Sequence, residues 1–497
     1  MKTLALLSPF FPGLLIAELT VASPFTGNAV LQSGQAIPVW GTSDAGTIIT
    51  VKFATQSKST KVEASGKWKL ELDPMPASHD PRTLTISGGN NAQIELSNIL
   101  VGEVWICSGQ SNMQMGYSRI PEIKALTSSL GNLRTFKVEN TVSFTEQDRC
   151  EGKWLESPPD SAVAFSFAYF LEKSAGAPVG IIQASWGSSS LEAWMPRELT
   201  KTVPHFEKMM AEFDADFETR KKIETILNGP KPWNRRDDIF LRRQTNILYN
   251  AMIHPLIPYG CRGLVWYQGE RNTQSMHGMK KEPWYFRNSG MLKYGNTLKA
   301  WMRQYRKEWQ RDDFQFLIVM LPGYAKGIKG GPENPDTESW AWMRESQLKA
   351  LELPHAAVIN TIDLGEINNI HPNDKLPIGK RLALFASRDT LGKDIKAEGP
   401  VFKKVEAKGD RLVIHFDHAE GLKTLDGKEP AGFWIADDSQ NWTKANTRLS
   451  KQTVILGSPE LRKPLYVRYA FSGKPTVNLV NASEQPAYPF RTDPFDP

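Results

Sequence analysis

Small, polar and reactive residues recur directly after apolar runs in this chain. Gly109-Gln110-Ser111-Asn112-Met113 follows VGEVWIC (101–107), and Trp186-Gly187-Ser188-Ser189-Ser190 follows PVGIIQA (178–184). Gln268-Gly269-Glu270-Arg271-Asn272 closes GLVWYQG (263–269). Asn368-Asn369-Ile370-His371-Pro372 lies beyond AAVINTIDL (356–364). A serine opening a helix after a strand exposes its hydroxyl and sits beside backbone N–H groups aimed at a developing oxyanion. Its hydroxyl becomes a nucleophile only when a base takes its proton. Alone, SGQSN reads equally well as a helix N-cap, so the partner base decides.

The chain has eight histidines. His79, His415 and His418 fall in β-rich regions, and His205 and His277 in polar connecting segments. His254 sits in the packed stretch MIHPLIP, and His355 precedes an apolar run, at the wrong end. Only His371 falls in a loop at the same predicted edge as Ser111, and it is the candidate base. Gly187 lets the backbone approach a substrate and donate its N–H. Gln268 or Asn272 is the candidate side-chain donor to an oxyanion. Glu103 and Glu270 invite a paired-carboxylate glycosidase reading, but Glu103 lies early in its run, and Glu270 suits an orienting role. Trp186, Trp194, Trp266 and Tyr267 flank the same blocks; aromatic faces suit sugar rings, although most tryptophans pack cores.

These groups need a scaffold that brings strand ends together. Five near-continuous apolar runs, the four above and QFLIVMLP (315–322), suit strands of a parallel sheet buried on both faces. Helical patterns alternate with them at 162–173, 292–309, 339–353 and 376–388. The expected fold class is therefore α/β over residues 99–395, with ligands bound beyond the carboxyl ends of the strands. Before it, 19–98 carries short alternating runs such as IPVWG and GKWKLELD; after it, 400–490 carries RLVIHFD, GFWIAD and LYVRYAF. Both read as β-sandwiches. The charged stretch 206–243 is predicted helical.

At 497 residues the chain is too long for one core. The net charge of +6 is scattered, with no basic block that suits nucleic acid. Three cysteines, Cys107, Cys150 and Cys261, make neither a disulfide framework nor a metal-ligand spacing. Met1-Lys2 followed by an apolar stretch to Ala17 predicts a signal peptide over 1–17, hence export to the periplasm or outside the cell. No run is long enough to span a membrane.

The blocks VGEVWICSGQSNMQM, IIQASWGSSSLEAW, LYNAMIHPL, GLVWYQGERN and NNIHPNDKLPIGKRLAL, in this order, resemble the sialate O-acetylesterase family. The resemblance covers nearly everything after the leader. It implies an SGNH-type hydrolase, a three-layer parallel-sheet unit, acting on acetylated carbohydrate without metal or organic cofactor. It makes Ser111 the nucleophile and His371 the base, with Gly187 and the Ser111 N–H lining the oxyanion hole and the Gln268-Gly269-Glu270 block completing the site. Three positions depart from the family pattern. Asn369 stands where an Asp is usual, so the third triad member lies open between Asp363, Glu366, Asn369 and no residue at all. Ser188 replaces a usual glycine. Arg271, a bulky cation where Ser or Ala is common, would favour an acidic sugar or crowd the site. Sialate, xylan and pectin esters all fit these motifs. A catalytically weak carbohydrate-binding protein on the same scaffold is the alternative of another class.

Overall fold

The computed structural model describes residues 18–273, 287–335 and 339–495. The expected leader at 1–17, and His277, lie outside the described residues. Among those described, no helix is long and apolar enough to cross a membrane.

A mixed sheet forms the centre. Its parallel strands are β1 (Gln93–Gly109), β2 (Leu133–Lys137), β3 (Val179–Ser185), β4 (Gly263–Tyr267), β5 (Gln315–Val319) and β6 (Ala356–Ile359). They lie in the order β2-β3-β1-β4-β5-β6, with Trp154–Leu155 antiparallel beyond β2. From β1 the chain crosses to β2 at the edge, returns inward to β3 and then passes to the other side of β1 for β4, β5 and β6, so the connections leaving β1 and β4 run in opposite directions. A crevice opens at such a switch point, beyond the carboxyl ends of the strands. The register is decisive: Gly109 of β1 pairs with Ser185 of β3 and Tyr267 of β4. The three chemistry-bearing blocks therefore leave the sheet side by side.

The helices that concern the site are α1 (Ser111–Gln114), α2 (Ala162–Ala175), α3 (Arg287–Trp309), α4 (Trp340–Leu348) and α5 (Leu376–Leu391); others lie at 121–124 and within 204–241. Ser161 caps α2 by accepting from Ala164 N at 3.1 Å, and Gly176 ends it at φ 62°. Trp105 of β1 packs edge-on against Phe167 of α2, and Trp266 of β4 packs against Trp301 of α3. Ser108, the register partner of Trp266, points opposite to Trp105 by strand alternation. Helices α2 and α3 thus cover opposite faces. Helix α5 lies close on α2 because Gly379 has no side chain: a Cβ there would be 2.2 Å from Ser166 Cβ.

The amino-terminal half of β1 leaves the central layer and pairs antiparallel with Ser78–Ser87, which pairs in turn with Ile48–Phe53. A separate three-stranded sheet holds Thr20–Val21, Ile37–Thr42 and Lys67–Leu72. Beyond residue 400 lie two four-stranded sheets, one centred on Arg411–Asp417 and the other on Phe433–Ala436 and Tyr466–Tyr469. Buried Arg344 ties the last region to the centre: it donates to the carbonyls of Leu321 (2.9 Å), Pro322 (3.2 Å), Ser472 (2.7 Å) and Gly473 (2.6 Å).

The sequence pattern missed β2. Its segment LRTFK is short and carries two cations, so it lacks the apolar run of its neighbours. It also extended the last run too far: β6 stops at Ile359, and the rest of AAVINTIDL is the loop toward His371. All three cysteines are free, with Cys107 and Cys261 buried.

Candidate active site

Ser111 opens α1 directly after β1, and the turn depends on Gly109. That residue has φ +137°, and a Cβ there would lie 2.2 Å from the Tyr267 carbonyl oxygen. The loop after β6 brings back His371, whose Nε2 lies 2.7 Å from Ser111 Oγ. A hydroxyl bonded to a neutral imidazole is poised to lose its proton to it. His371 keeps contact with water, but partial burial of its ring, and then the charge of Lys375, hold its pKa below the ordinary 6.5. The ring is therefore neutral at pH 7.

Gly187 packs against the same serine: a Cβ on it would be 3.3 Å from Ser111 Cβ. Its N–H donates to the side-chain carbonyl of Gln114 at 3.1 Å. A carbonyl acceptor therefore already sits beside the serine, one turn along α1.

The other expected donors are engaged elsewhere. Gln268 is fully buried, and its Nε2 faces Asn272 Oδ1 (2.8 Å), Ser189 O (3.1 Å) and Gln110 Oε1 (3.2 Å). Tyr294 donates to Gln268 Oε1 at 2.8 Å. Asn272 gives its Nδ2 to both oxygens of buried Glu192 (3.2 and 3.1 Å) and accepts from Leu191 N at 3.1 Å. These amides stitch the loops after β3 and β4 together and have no hydrogen to spare for an oxyanion. Arg271 joins the same network through its backbone, donating to Gln110 Oε1 at 3.0 Å.

The carboxylate candidates separate clearly. Asp363 is locked to Arg381 by two bonds of 2.8 and 2.6 Å. Glu366 accepts from Asn369 Nδ2 at 3.1 Å, and Asn369 Oδ1 accepts from the His371 backbone N–H at 3.0 Å. None of the three bonds the His371 ring, and among the described residues nothing accepts from its Nδ1. Asn369 shapes the loop instead, as an Asx turn. Glu103 pairs with Val179 at the opposite end of the sheet and is held by Arg262 at 2.7 and 3.0 Å. It lies six positions before Gly109, roughly 20 Å along the strand, so it forms no catalytic pair with Glu270. Trp186, Trp194, Trp266 and Tyr267 are all buried and pack the interior.

Solved structures and sequence relatives resolve the family. The segment 231–386 matches the model for carbohydrate esterase, sialic acid-specific acetylesterase. The sialate O-acetylesterase of Mus musculus is 27% identical over 88% of this chain and 86% of its own. That of Homo sapiens is 25% identical over 81% and 77%. A carbohydrate acetylesterase from Xanthomonas citri is 31% identical, with TM-score 0.79, over 96% of this chain and 100% of its own. This chain belongs to the sialate O-acetylesterase family of carbohydrate esterases. It is an esterase.

The esterase also places groups that the motifs alone did not single out. Lys375, fully buried, donates to Asn112 Oδ1 at 2.7 Å, and Asn112 Nδ2 bonds Glu270 Oε1 and, at 3.0 Å, the Ile370 carbonyl. Asn112 thus clamps the residue after Ser111 to the residue before His371. Burial pushes the Lys375 pKa down to about 8 and pushes that of Glu270 up. Arg242 brings Nη1 within 3.5 Å of where a Gly187 Cβ would be, and it pairs with Asp238 at 3.2 Å. A Lys four residues after a loop histidine was the available signal for the clamp. Arg242 had none, because it comes from the helical segment remote in sequence. Ser188 has φ +61°, the left-handed region where the family's usual glycine costs nothing.

Proposed function

We propose that this esterase removes O-acetyl groups from carbohydrate through a Ser111–His371 pair. The contact of 2.7 Å between Oγ and Nε2 carries the reading. In it His371 takes the Ser111 proton, and the alkoxide attacks the acetyl carbonyl. The Gly187 and Ser111 N–H groups hold the oxyanion after the ester carbonyl displaces the Gln114 carbonyl. His371 returns the proton to the departing sugar alcohol, and water hydrolyses the acetyl-enzyme. The pair works without an acidic third member: Asn369 and Glu366 fix the loop backbone, and the Asn112 clamp fixes its distance from Ser111. Gln268, Asn272 and Glu270 are positioning residues that hold the strand-end loops in register.

The finer architecture belongs to the same proposal. Residues 99–395 form a three-layer SGNH-type unit, supported by the strand order and by helices on opposite faces. Residues 19–98 and 400–490 form flanking β-sandwiches, supported by their separate sheets. A leader at 1–17 directs export.

The test of substrate is acetate release from O-acetylated sialic acid, acetylated xylan and acetylated pectin. Release from at least one of them, at a rate well above buffer, is expected. Release from none leaves a carbohydrate-binding protein on an esterase scaffold. The family name favours sialate, whereas a cleft described below favours a polymer.

The pH profile tests the base. Activity requires neutral His371, so kcat/KM should rise through an acid limb centred below 6.5, the ordinary value for the group. In Lys375→Met the repelling charge is gone, and the limb should move toward higher pH. An unmoved limb would assign the shift to burial alone. The same lysine makes a stability statement. Its folded pKa of about 8 lies below the ordinary 10.5, so the unfolded chain binds more protons between them. Its contribution to stability therefore improves as pH rises through that window.

A further inference from the structure

Beyond the catalytic serine, the last β region carries a cleft of about 730 Å³ bordered by Trp434, Trp442, Gln440, Asn441, Glu333 and Lys444. Both tryptophans are half-buried, unlike those around Ser111. Trp434 sits on Phe433–Ala436, where its cross-strand partners are Lys444 and Arg468. The Arg468 guanidinium lies over the Trp442 ring, 4.3 Å from its centroid. Arg468 is itself fixed by Asp493 through two bonds of 2.8 Å. One face of Trp442 is therefore backed by a rigid ion pair. Holding two large indoles partly in water forgoes burial of apolar area, and a ligand with flat apolar faces recovers it.

The charges in the cleft cancel. Glu333 and Lys444 face each other at 3.6 Å, and the remaining polar side chains are the amides of Asn334, Gln440 and Asn441. Amides supply donor and acceptor side by side and match hydroxyls, which are both. Apolar ring faces edged with hydroxyls and no net charge describe uncharged pyranose units.

The cleft also shares a backbone segment with the active site. The chain after β5 first pairs with the loop that carries His371: Gly323 N donates to Leu364 O at 2.9 Å, and Ala325 N to Ile367 O at 3.0 Å. It then runs to Pro332, whose carbonyl accepts from Lys474 N at 2.9 Å, and to Glu333 at the cleft. A ligand long enough to follow this segment touches both places.

We propose that the Trp434–Trp442 cleft is a remote subsite for uncharged sugar units of a polymeric acetylated glycan. The proposal rests on the carbohydrate esterase reading and narrows its substrate to a chain of several rings. Each stacked ring is worth a few-fold to about tenfold in affinity.

The experiment separates binding from turnover. Full-length Ser111→Ala protein is run by affinity electrophoresis through gels holding acetylated xylan, with and without Trp434→Ala. Retardation that Trp434→Ala reduces is expected, and equal migration of the two overturns the subsite. In parallel, Trp434→Ala and Trp442→Phe are assayed in the active enzyme. KM for acetylated xylan should rise roughly three- to tenfold, while kcat/KM for 4-nitrophenyl acetate stays unchanged. A fall for both substrates alike would mark the indoles as structural and reject the proposal. Failure of 4-nitrophenyl acetate turnover in the unsubstituted enzyme would instead reject the esterase mechanism, leaving the gel result to stand by itself.

Discussion

Ser111→Ala should lower the rate of acetate release by roughly 10⁵–10⁶-fold, the size of loss seen when a serine hydrolase loses its nucleophile. No other hydroxyl reaches the His371 ring among the bonds of the described residues, so nothing is placed to take over. Stability should change by no more than about 0.5 kcal/mol. The hydroxyl's partner is an exposed histidine, and water replaces the lost bond. Acetate release and thermal unfolding, measured on the same preparation, check both halves. Loss of activity with an unchanged melting temperature is the signature of chemistry. A fall in both would point to a structural serine.

Gly109→Ala should also disable the site, through the fold rather than through the chemistry. A methyl group there meets the Tyr267 backbone at 2.2 Å from its oxygen and 2.7 Å from its carbon. Backbone cannot rotate aside as a side chain can. The residue must also hold φ +137°, a conformation that L side chains rarely adopt. The strain and overpacking together cost about 2–6 kcal/mol. The contact lies where β1 and β4 leave the sheet, so relief requires parting Ser111 from the Gln268 network. Reduced soluble yield, or a lower denaturation midpoint with activity down by at least about a hundredfold, is the expected result. Unaltered stability would mean that the strands part without cost.

The sequence made the active edge legible because its signals are local. Apolar runs mark strands, and small polar residues after them mark strand ends. Reading Ser111 and His371 as one pair needed only that their loops share an edge. Their side-chain partners were less legible, since these depend on which strands become neighbours. Gln268 and Asn272 looked like free donors, but the adjacency of β3 and β4 to β1 turns them inward onto Ser189 and Glu192. Asp363 looked available to the histidine until Arg381, one helix later, claimed both oxygens. Lys375 was visible only as a cation in a motif, and its burial against Asn112 is a tertiary fact. Strand β2 was hidden by Arg134, whose guanidinium is buried against the Asn98 backbone instead of facing water.

Every step proposed for the site passes through a covalent acetyl-Ser111 formed with His371 as base. The most direct measurement mixes enzyme with excess 4-nitrophenyl acetate, quenches in acid within milliseconds, and maps peptides by mass. One added acetyl group on the peptide containing Ser111 is expected, and none there in Ser111→Ala or His371→Ala. An acetyl group on another residue, or rapid acetate release with no acetylated Ser111 at any quench time, would contradict it.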